Sequence, residues 1–488
     1  MTSKRRTYPL LFLITVAALF VHGYHPGVED AEIYIPAIKK ILNPALYPFG
    51  AEFFLNHARL TLFDELIAAS VRASHLSFDV IVFLWYALSS FLTLLACWRI
   101  CCECFSEPEA RWAGVVLVAA LYTIPVAGTS LYIADQYLTS RSIVTFAVLF
   151  AIWNAAKGRR AACTAWSIIA LCVHPLMAVF GISYAVLLWF MKRREASLTG
   201  VLSVLPPLAF SFLDLLPLSS DGYRRAVSTR PYFFILQWQW YEWLGALAPL
   251  LLLWLIAQFS RHHEDNKVRI MSQALIIYGL FFLVAALTLT TADRLIPLAR
   301  FQPMRSLHVL YILMFLFGGG FLGKLFLRRR VWRWIVAFLP LCCAMYLVQR
   351  QLFPTSSHIE WPMTTPANDW LRAFDWIRRN TPTGAVFAID PDYMLKDDQH
   401  GFRATAERSR LADAIKDSGA ATMFPELQTA DHWLEQVNAQ HDWQNLQEDD
   451  FRRLDQTYGV SWVLLENPVT FGFGCPYQNQ TLSVCRLH

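Results

Sequence analysis

The chain has 488 residues, of which 56% are hydrophobic, 15% aromatic and only 16% charged. Soluble domains carry about 25% charged residues, so a soluble globular protein is excluded. The net charge of +5 is dispersed among short connections and forms no patch that would suit a nucleic acid.

Apolar runs recur from Tyr8 as far as Met345, and runs of roughly 18 or more apolar residues read as membrane spans. Lys4, Arg5 and Arg6 precede the first run, Tyr8–Val21, as in a signal peptide. The run ends in His22-Gly23-Tyr24-His25-Pro26, which offers no small-residue cleavage site, so it reads as a retained span with a cytoplasmic N-terminus. Further spans are expected near 78–98, 112–131, 141–156, 162–174, 177–191, 198–216, 241–259, 270–291, 305–326 and 332–349, about eleven in all. The connections Lys157–Arg160, Lys192–Arg194, Arg261–Arg269 and Arg328–Arg330 are basic and belong on the cytoplasmic side.

The stretch 162–191 lies between two of those basic clusters yet is too short for two full crossings. Two short helices turning at His174–Pro175 satisfy the charge rule, because proline breaks a helix. A single tilted helix would reverse everything downstream. The hairpin leaves the N-terminus inside and the C-terminus outside.

This topology gives a polytopic α-helical membrane domain, 1–349, with a long first outer loop at about 23–77, followed by a small extracytoplasmic α/β domain, 350–488. In the latter, Trp370–Asn380 has helical spacing, Ala385–Ile389 and Trp462–Leu465 suggest short buried strands, and Ala404–Lys416 suggests a charged, solvated helix. Cys475 and Cys485 lie there in a Gly/Pro-rich loop and strand, and would pair in an oxidising compartment. Cys97, Cys101, Cys102 and Cys104 match no standard zinc spacing and read as reduced thiols.

The first outer loop opens His25-Pro26-Gly27-Val28-Glu29-Asp30-Ala31-Glu32-Ile33-Tyr34, with three carboxylates just beyond a span. Amphipathic stretches follow, one from Ile33 to Leu42 interrupted by Pro36 and another over Phe54–Leu76, of the kind that lies in the membrane interface. An acidic cluster held there suits a substrate with a lipid tail and an external head group; the alternative is a solvated loop with a helix cap at Asp30. The second outer loop holds Asp135 and Arg141 near membrane depth, where charges are paired or functional. Asp135 either completes a metal or sugar site with Asp30 or merely neutralises Arg141. The outer loops also carry Arg224, Arg225, Arg230, Arg294, Arg300 and Arg305, against the positive-inside rule. Phosphate binding explains them, as does pairing with nearby acids or lipid head groups. His174 sits at the hairpin apex, as a site residue or a structural one.

This layout resembles the GT-C superfamily of membrane glycosyltransferases, which includes oligosaccharyltransferase catalytic subunits, protein O- and C-mannosyltransferases and aminoarabinose transferases. The shared pattern is a basic N-terminus, one span, an acidic motif (here Glu29-Asp30, followed by Tyr34), two interfacial helices, many further spans and an outer C-terminal domain. The segments His25–Asp30, Gln136–Ser142, His174–Met177, Gln302–Ser306 and Phe402-Arg403 resemble an uncharacterised bacterial subgroup. The resemblance implies a polyprenyl-phosphate sugar donor and membrane lipids as partners, with a glycan, lipid or protein acceptor at the outer face of a bacterial inner membrane. It implies Asp30, or Glu29, as the base of an inverting transfer, with Arg141, Arg300 and Arg305 on the donor phosphate. His25, Tyr34, Asp135 and His174 are further site candidates. Some members of the superfamily use a divalent cation (Mg or Mn) and others do not; one used here would be held by Asp30 and Asp135. The rival readings are a flippase for a lipid-linked glycan, which needs the arginines but no base, and a non-catalytic scaffold.

Overall fold

The computed structural model describes residues 4–193, 220–262, 266–289, 293–366, 368–395, 400–424 and 428–488. The N-terminal part is α1 (Lys4–His22), α2 (Ala31–Leu42), α3 (Glu52–Ala58), α4 (Phe63–Ser74), α5 (Phe78–Cys104), α6 (Pro108–Ala120), α7 (Ser140–Lys157), α8 (Arg160–Val173) and α9 (Pro175–Arg193). Beyond them lie long helices at Trp240–His262, Asn266–Leu289, Leu307–Leu322 and Val331–Leu352. Among the described residues, six helices are long and apolar enough to cross a membrane: Phe78–Cys104, Pro175–Lys192, Trp240–Arg261, Asn266–Leu289, Leu295–Leu327 and Val331–Leu352. Their lipid-facing sides stay apolar and exposed, as at Leu251, Trp254, Val336 and Leu347. The chain is thus a helical membrane protein with a small C-terminal sheet. The expected span at 198–216 lies outside the described residues.

One expected feature of the helical part changes and another is kept. The span drawn at 112–131 is helical only to Ala120; residues beyond it form turns and an isolated bridge between Pro125 and Tyr132. The proline withholds an amide that a continuing helix would need. The hairpin at 162–191 is present. α8 ends at Val173, and Pro175 starts α9. The Arg160 guanidinium lies 5.2 Å from the Trp189 ring, and Lys192 donates to the carbonyl of Ala156, so both ends of the hairpin meet at one end of the bundle.

The stretches expected to lie in the membrane interface are α2, α3 and α4. α2 runs through Pro36 without a break and is buried along most of its length, including Ile35, Ala37, Ile38 and Lys39. It lies beneath the C-terminal domain, which claims its polar side, rather than floating at the surface. An interfacial face survives only around α4, where Leu60, Leu62 and Leu76 are exposed.

The C-terminal domain contains a five-stranded sheet in the order β2-β1-β3-β5-β4, with β1 (Val386–Ile389), β2 (Ser409–Arg410), β3 (Val460–Glu466), β4 (Gly474–Gln478) and β5 (Leu482–Arg486). β1 is parallel to β2 and β3, while β5 runs antiparallel to β3 and β4. Every residue of β1 is buried, which is why the segment reads as a continuous apolar run. Phe374, Ile377, Phe387, Phe402 and Leu464 form one core, against the helix Asp369–Asn380. Cys475 and Cys485 form a disulfide between β4 and β5, and Cys97, Cys101, Cys102 and Cys104 are outside any disulfide.

The expected charged helix over Ala404–Lys416 is not one helix. A short turn at Phe402–Ala406 leads into β2, and a new helix starts at Lys416. Arg403, Arg410, Asp413 and Asp417 are all buried. They must point at one another and at α2, which a single solvated helix cannot arrange. Arg410 does pair with Asp413, across a turn rather than along a helix.

One acid near the site is unusually placed. Asp64, in the first turn of α4, is 1% exposed and neither carboxyl oxygen has a hydrogen-bond partner. Burial first, and Glu65 second, push its pKa up to about 8. The folded chain therefore keeps a proton that the unfolded chain loses near its ordinary value of 3.8, and stability falls as pH rises between those two values. Asp64→Asn should remove that slope. In detergent, the thermal midpoint of the variant should rise above wild type by an increment that grows from pH 5 to pH 8; a constant increment would mean that Asp64 is ionised throughout.

Candidate active site

The acidic turn after α1 is tied on three sides. Tyr24 donates to the His358 carbonyl and accepts from the Glu360 amide (3.1 and 2.9 Å), the His25 amide donates to Gln136 (2.9 Å), and Gly401 donates to the Gly27 carbonyl (2.7 Å). Glu29 adopts a left-handed backbone, φ 52°, at the tip. The Asp30 amide donates to the Tyr137 hydroxyl at 3.2 Å.

The segment Gln136–Ser142 is explained residue by residue. Gln136 donates to the His22 carbonyl at 3.0 Å, and Thr139 with Ser142 forms the capping box that starts α7. Ser140 donates to the Tyr34 hydroxyl at 3.0 Å. Arg141 then projects from the first turn of α7 and bridges two acids, with Nη1 2.7 Å from Asp30 and Nη2 3.0 Å from Asp135. Asp135 also accepts from Thr139 at 3.2 Å. The expected pairing of Asp135 with Arg141 is therefore present. A divalent cation between Asp30 and Asp135 does not fit this arrangement, because the guanidinium is bonded to both carboxylates.

Asp30 has a second cation. Lys416, at the start of the helix Lys416–Ala421, bonds Glu29 and lies 3.4 Å from Asp30. Burial alone would raise the Asp30 pKa, but Lys416 and Arg141 together hold it well below the usual carboxylate range. The same two acids outweigh burial at Lys416 and push its ammonium pKa up. Asp30 is thus an anion at any physiological pH.

Around this pair lies a small cavity of about 80 Å³, partly open to solvent. Asp30, Tyr34, Arg141, His174, Arg230 and Arg305 line it, six of the residues singled out from sequence. His57, Tyr232, Gln302 and Lys416 line it too. Burial lowers the His57 pKa to about 4, with Asp30 pulling the other way, so its ring is neutral at pH 7. The Arg305 guanidinium lies 5.9 Å from the Tyr232 ring and has no carboxylate partner among the described residues. Arg230 donates to the Ile415 carbonyl and, at 2.9 Å, to Ser418, again without an acid. Four cations thus face one half-buried carboxylate, with Glu29 at the edge.

Several candidates fall elsewhere. Arg300 donates to the Met423 carbonyl at 3.1 Å and does not line the cavity. Arg224 and Arg225 are exposed on the helix Asp221–Ser228, whose buried face is Tyr223, Ala226 and Val227. The Arg294 side chain lies outside the described residues. His25 points away from the cavity, toward Glu360. Lys416 was missed because its segment reads as a solvated helix, and nothing in its spacing connects it with a turn 387 residues away.

Lys416 reaches Asp30 because Glu32, fully buried in α2, anchors the C-terminal domain. Its carboxylate accepts from the amides of Arg403 (3.1 Å) and Ala404 (3.0 Å) and pairs with Arg410 at 3.1 Å. Arg403 in turn grips Asp417 with two bonds of 2.8 and 2.9 Å. Lys39 adds an ion pair to Glu407 at 2.8 Å.

Residues 368–417 match a family model described as a domain of unknown function, DUF6798. No curated protein matches the chain. Among solved structures it is similar to the archaeal oligosaccharyltransferase AglB from Archaeoglobus fulgidus, in complex with an inhibitory peptide and a dolichol-phosphate. The identity is 12% and the TM-score 0.45, over 96% of this chain and 70% of that one. It is also similar to ArnT from Cupriavidus metallidurans bound to undecaprenyl phosphate, at 12% identity and TM-score 0.39, over 100% of this chain and 98% of that one.

Removing one partner of a buried ion pair costs about 3–5 kcal/mol. Glu32→Ala should therefore loosen the C-terminal domain from α2, and limited proteolysis of the full chain in detergent should release that domain at least about tenfold faster. Unchanged proteolysis would show that the contact is not the anchor.

Proposed function

We propose that this chain is a GT-C-type glycosyltransferase that moves a sugar from a polyprenyl-phosphate donor to an acceptor at the outer face of the inner membrane. The observation that carries this reading is the convergence of Arg141, Arg230, Arg305 and Lys416 on Asp30 in one cavity. Arg230 and Arg305, which have no acid of their own among the described residues, suit an incoming phosphate, since guanidinium binds phosphate oxygens in bidentate fashion. The exposed Leu60, Leu62 and Leu76, which flank α4, suit contact with a lipid-borne donor.

In this reading Asp30 takes the proton of the acceptor hydroxyl as its oxygen attacks the anomeric carbon. The bond from that carbon to the phosphate oxygen breaks with inversion, and the leaving phosphate carries the negative charge. Arg141, Arg305 and Lys416 stabilise that charge. The cations that hold Asp30 at low basicity are those the phosphate engages. Donor binding therefore draws them off the carboxylate, and Asp30 becomes a stronger base only when the donor is present. Glu29 keeps Lys416 in place, Tyr34 and the neutral His57 shape the acceptor side, and Asp135 holds Arg141.

The test is transfer from a polyprenyl-phosphate sugar by the purified chain in lipid. Asp30→Asn should lower the rate by about 10²–10⁴ with donor binding kept, the range usual for a lost general base. Arg305→Ala should chiefly raise the donor KM. Full activity in the Asp30 variant would remove the base assignment. Movement of glycolipid across the bilayer with no transfer would favour a flippase.

A further inference from the structure

Behind the acidic turn, on the side away from the cavity, three side chains from distant parts of the chain meet. His25 follows α1, Glu360 lies in the connection after the helix Val331–Leu352, and His400 precedes Phe402 in the C-terminal domain. One ligand atom from each, all within 4.8 Å of one another, converges on a single point. His25 Nδ1 lies 2.8 Å and His400 Nε2 2.9 Å from the same oxygen, Oε1 of Glu360. Both histidines are buried, and Glu360 is only 16% exposed.

The backbone around the three is tightly determined. Tyr24 is bridged to Ile359, next to Glu360, and Val28 is bridged to His400. The His25 ring is stacked on Phe353 with centroids 3.9 Å apart, which fixes its orientation. The three donors are thus held by structure that does not depend on a ligand. Two imidazoles and one carboxylate are a donor set that Zn²⁺ takes at about 2.0–2.2 Å, with water as a fourth ligand. Ligand atoms around such an ion stand slightly over 3 Å apart, so a small outward movement of each ring would admit it.

We propose that His25, Glu360 and His400 form a binding site for a divalent transition metal, Zn²⁺ foremost, that clasps the acidic turn to the C-terminal domain. The site is separate from Asp30 and Asp135 and does not depend on the transferase reading. Its role is positional: Val28, bridged to His400, lies between His25 and the Glu29-Asp30 pair, so the clasp fixes where that pair points. The eight free cysteines, four of them at the end of α5, are the rival zinc ligands within the chain.

The test uses the full chain purified in detergent, stripped with a chelator and reloaded with Zn²⁺. Wild type should bind about one tight equivalent, with a thermal midpoint that drops on stripping and returns on reloading. X-ray absorption should report nitrogen and oxygen neighbours near 2.0–2.1 Å, not sulfur near 2.3 Å. Glu360→Gln should weaken Zn²⁺ at least about tenfold, and His400→Ala should abolish the tight equivalent. If the histidine variant fails to fold, the scattering shell of the wild-type ion still decides the matter. A stripped wild-type chain that takes up no tight Zn²⁺ would overturn the proposal and leave a hydrogen-bonded staple. A sulfur shell, or the same stoichiometry in His400→Ala, would overturn it as well.

Discussion

A fully buried carboxylate must either keep its proton or be paired, and Glu32 is paired. It lies ten residues beyond the end of α1 and is neutralised by a domain that begins more than three hundred residues later in the chain. Burial raises its pKa against the pull of Arg410 and Arg403, so the contact is costly unless every bond is made. Both guanidiniums and two backbone amides make them. Once that contact holds, the helix beginning at Lys416 has one place to sit, above Asp30. The cavity is therefore a product of domain docking, with one wall from the ends of the membrane helices and the other from the C-terminal domain.

The same docking adds to the charge at the cavity. The membrane domain supplies Asp30 and Asp135 with Arg141, Arg230 and Arg305, and Lys416 from the docked domain adds a fourth cation. Four cations around a single lining carboxylate are the feature on which the proposed anion site rests. The turn at Glu29 and the cap at Thr139 set the two acidic loops before any substrate arrives, which keeps the ordering cost of binding low.

The sequence disclosed the membrane helices, the turn at His174–Pro175 and the disulfide, because each rests on a local signal: apolar length, proline chemistry, paired cysteines in one loop. Asp30, Tyr34, Arg141, His174, Arg230 and Arg305, which the sequence singled out, line one cavity, since charges at helix ends stand out against an apolar background. The sequence hid Lys416, Glu32's partners and the cluster at His25. Those depend on contacts across the whole chain, and a buried ion-pair network has the same composition as a solvated salt-bridged helix. Arg410 and Asp413 looked exposed for that reason. Arg300 shared the local signal of Arg305 without its position, and only the fold separates the two.

An anion site and a site for the lipid alone make different demands, and direct binding distinguishes them. Native mass spectrometry of the detergent-purified chain with a polyprenyl phosphate and with the matching polyprenol measures the contribution of the phosphate. A site of the kind described here retains the phosphate lipid much more strongly than the alcohol, and replacing Arg141 and Arg305 together abolishes the difference. Equal retention of the two lipids by the wild-type chain would contradict phosphate recognition at Asp30 and its cations.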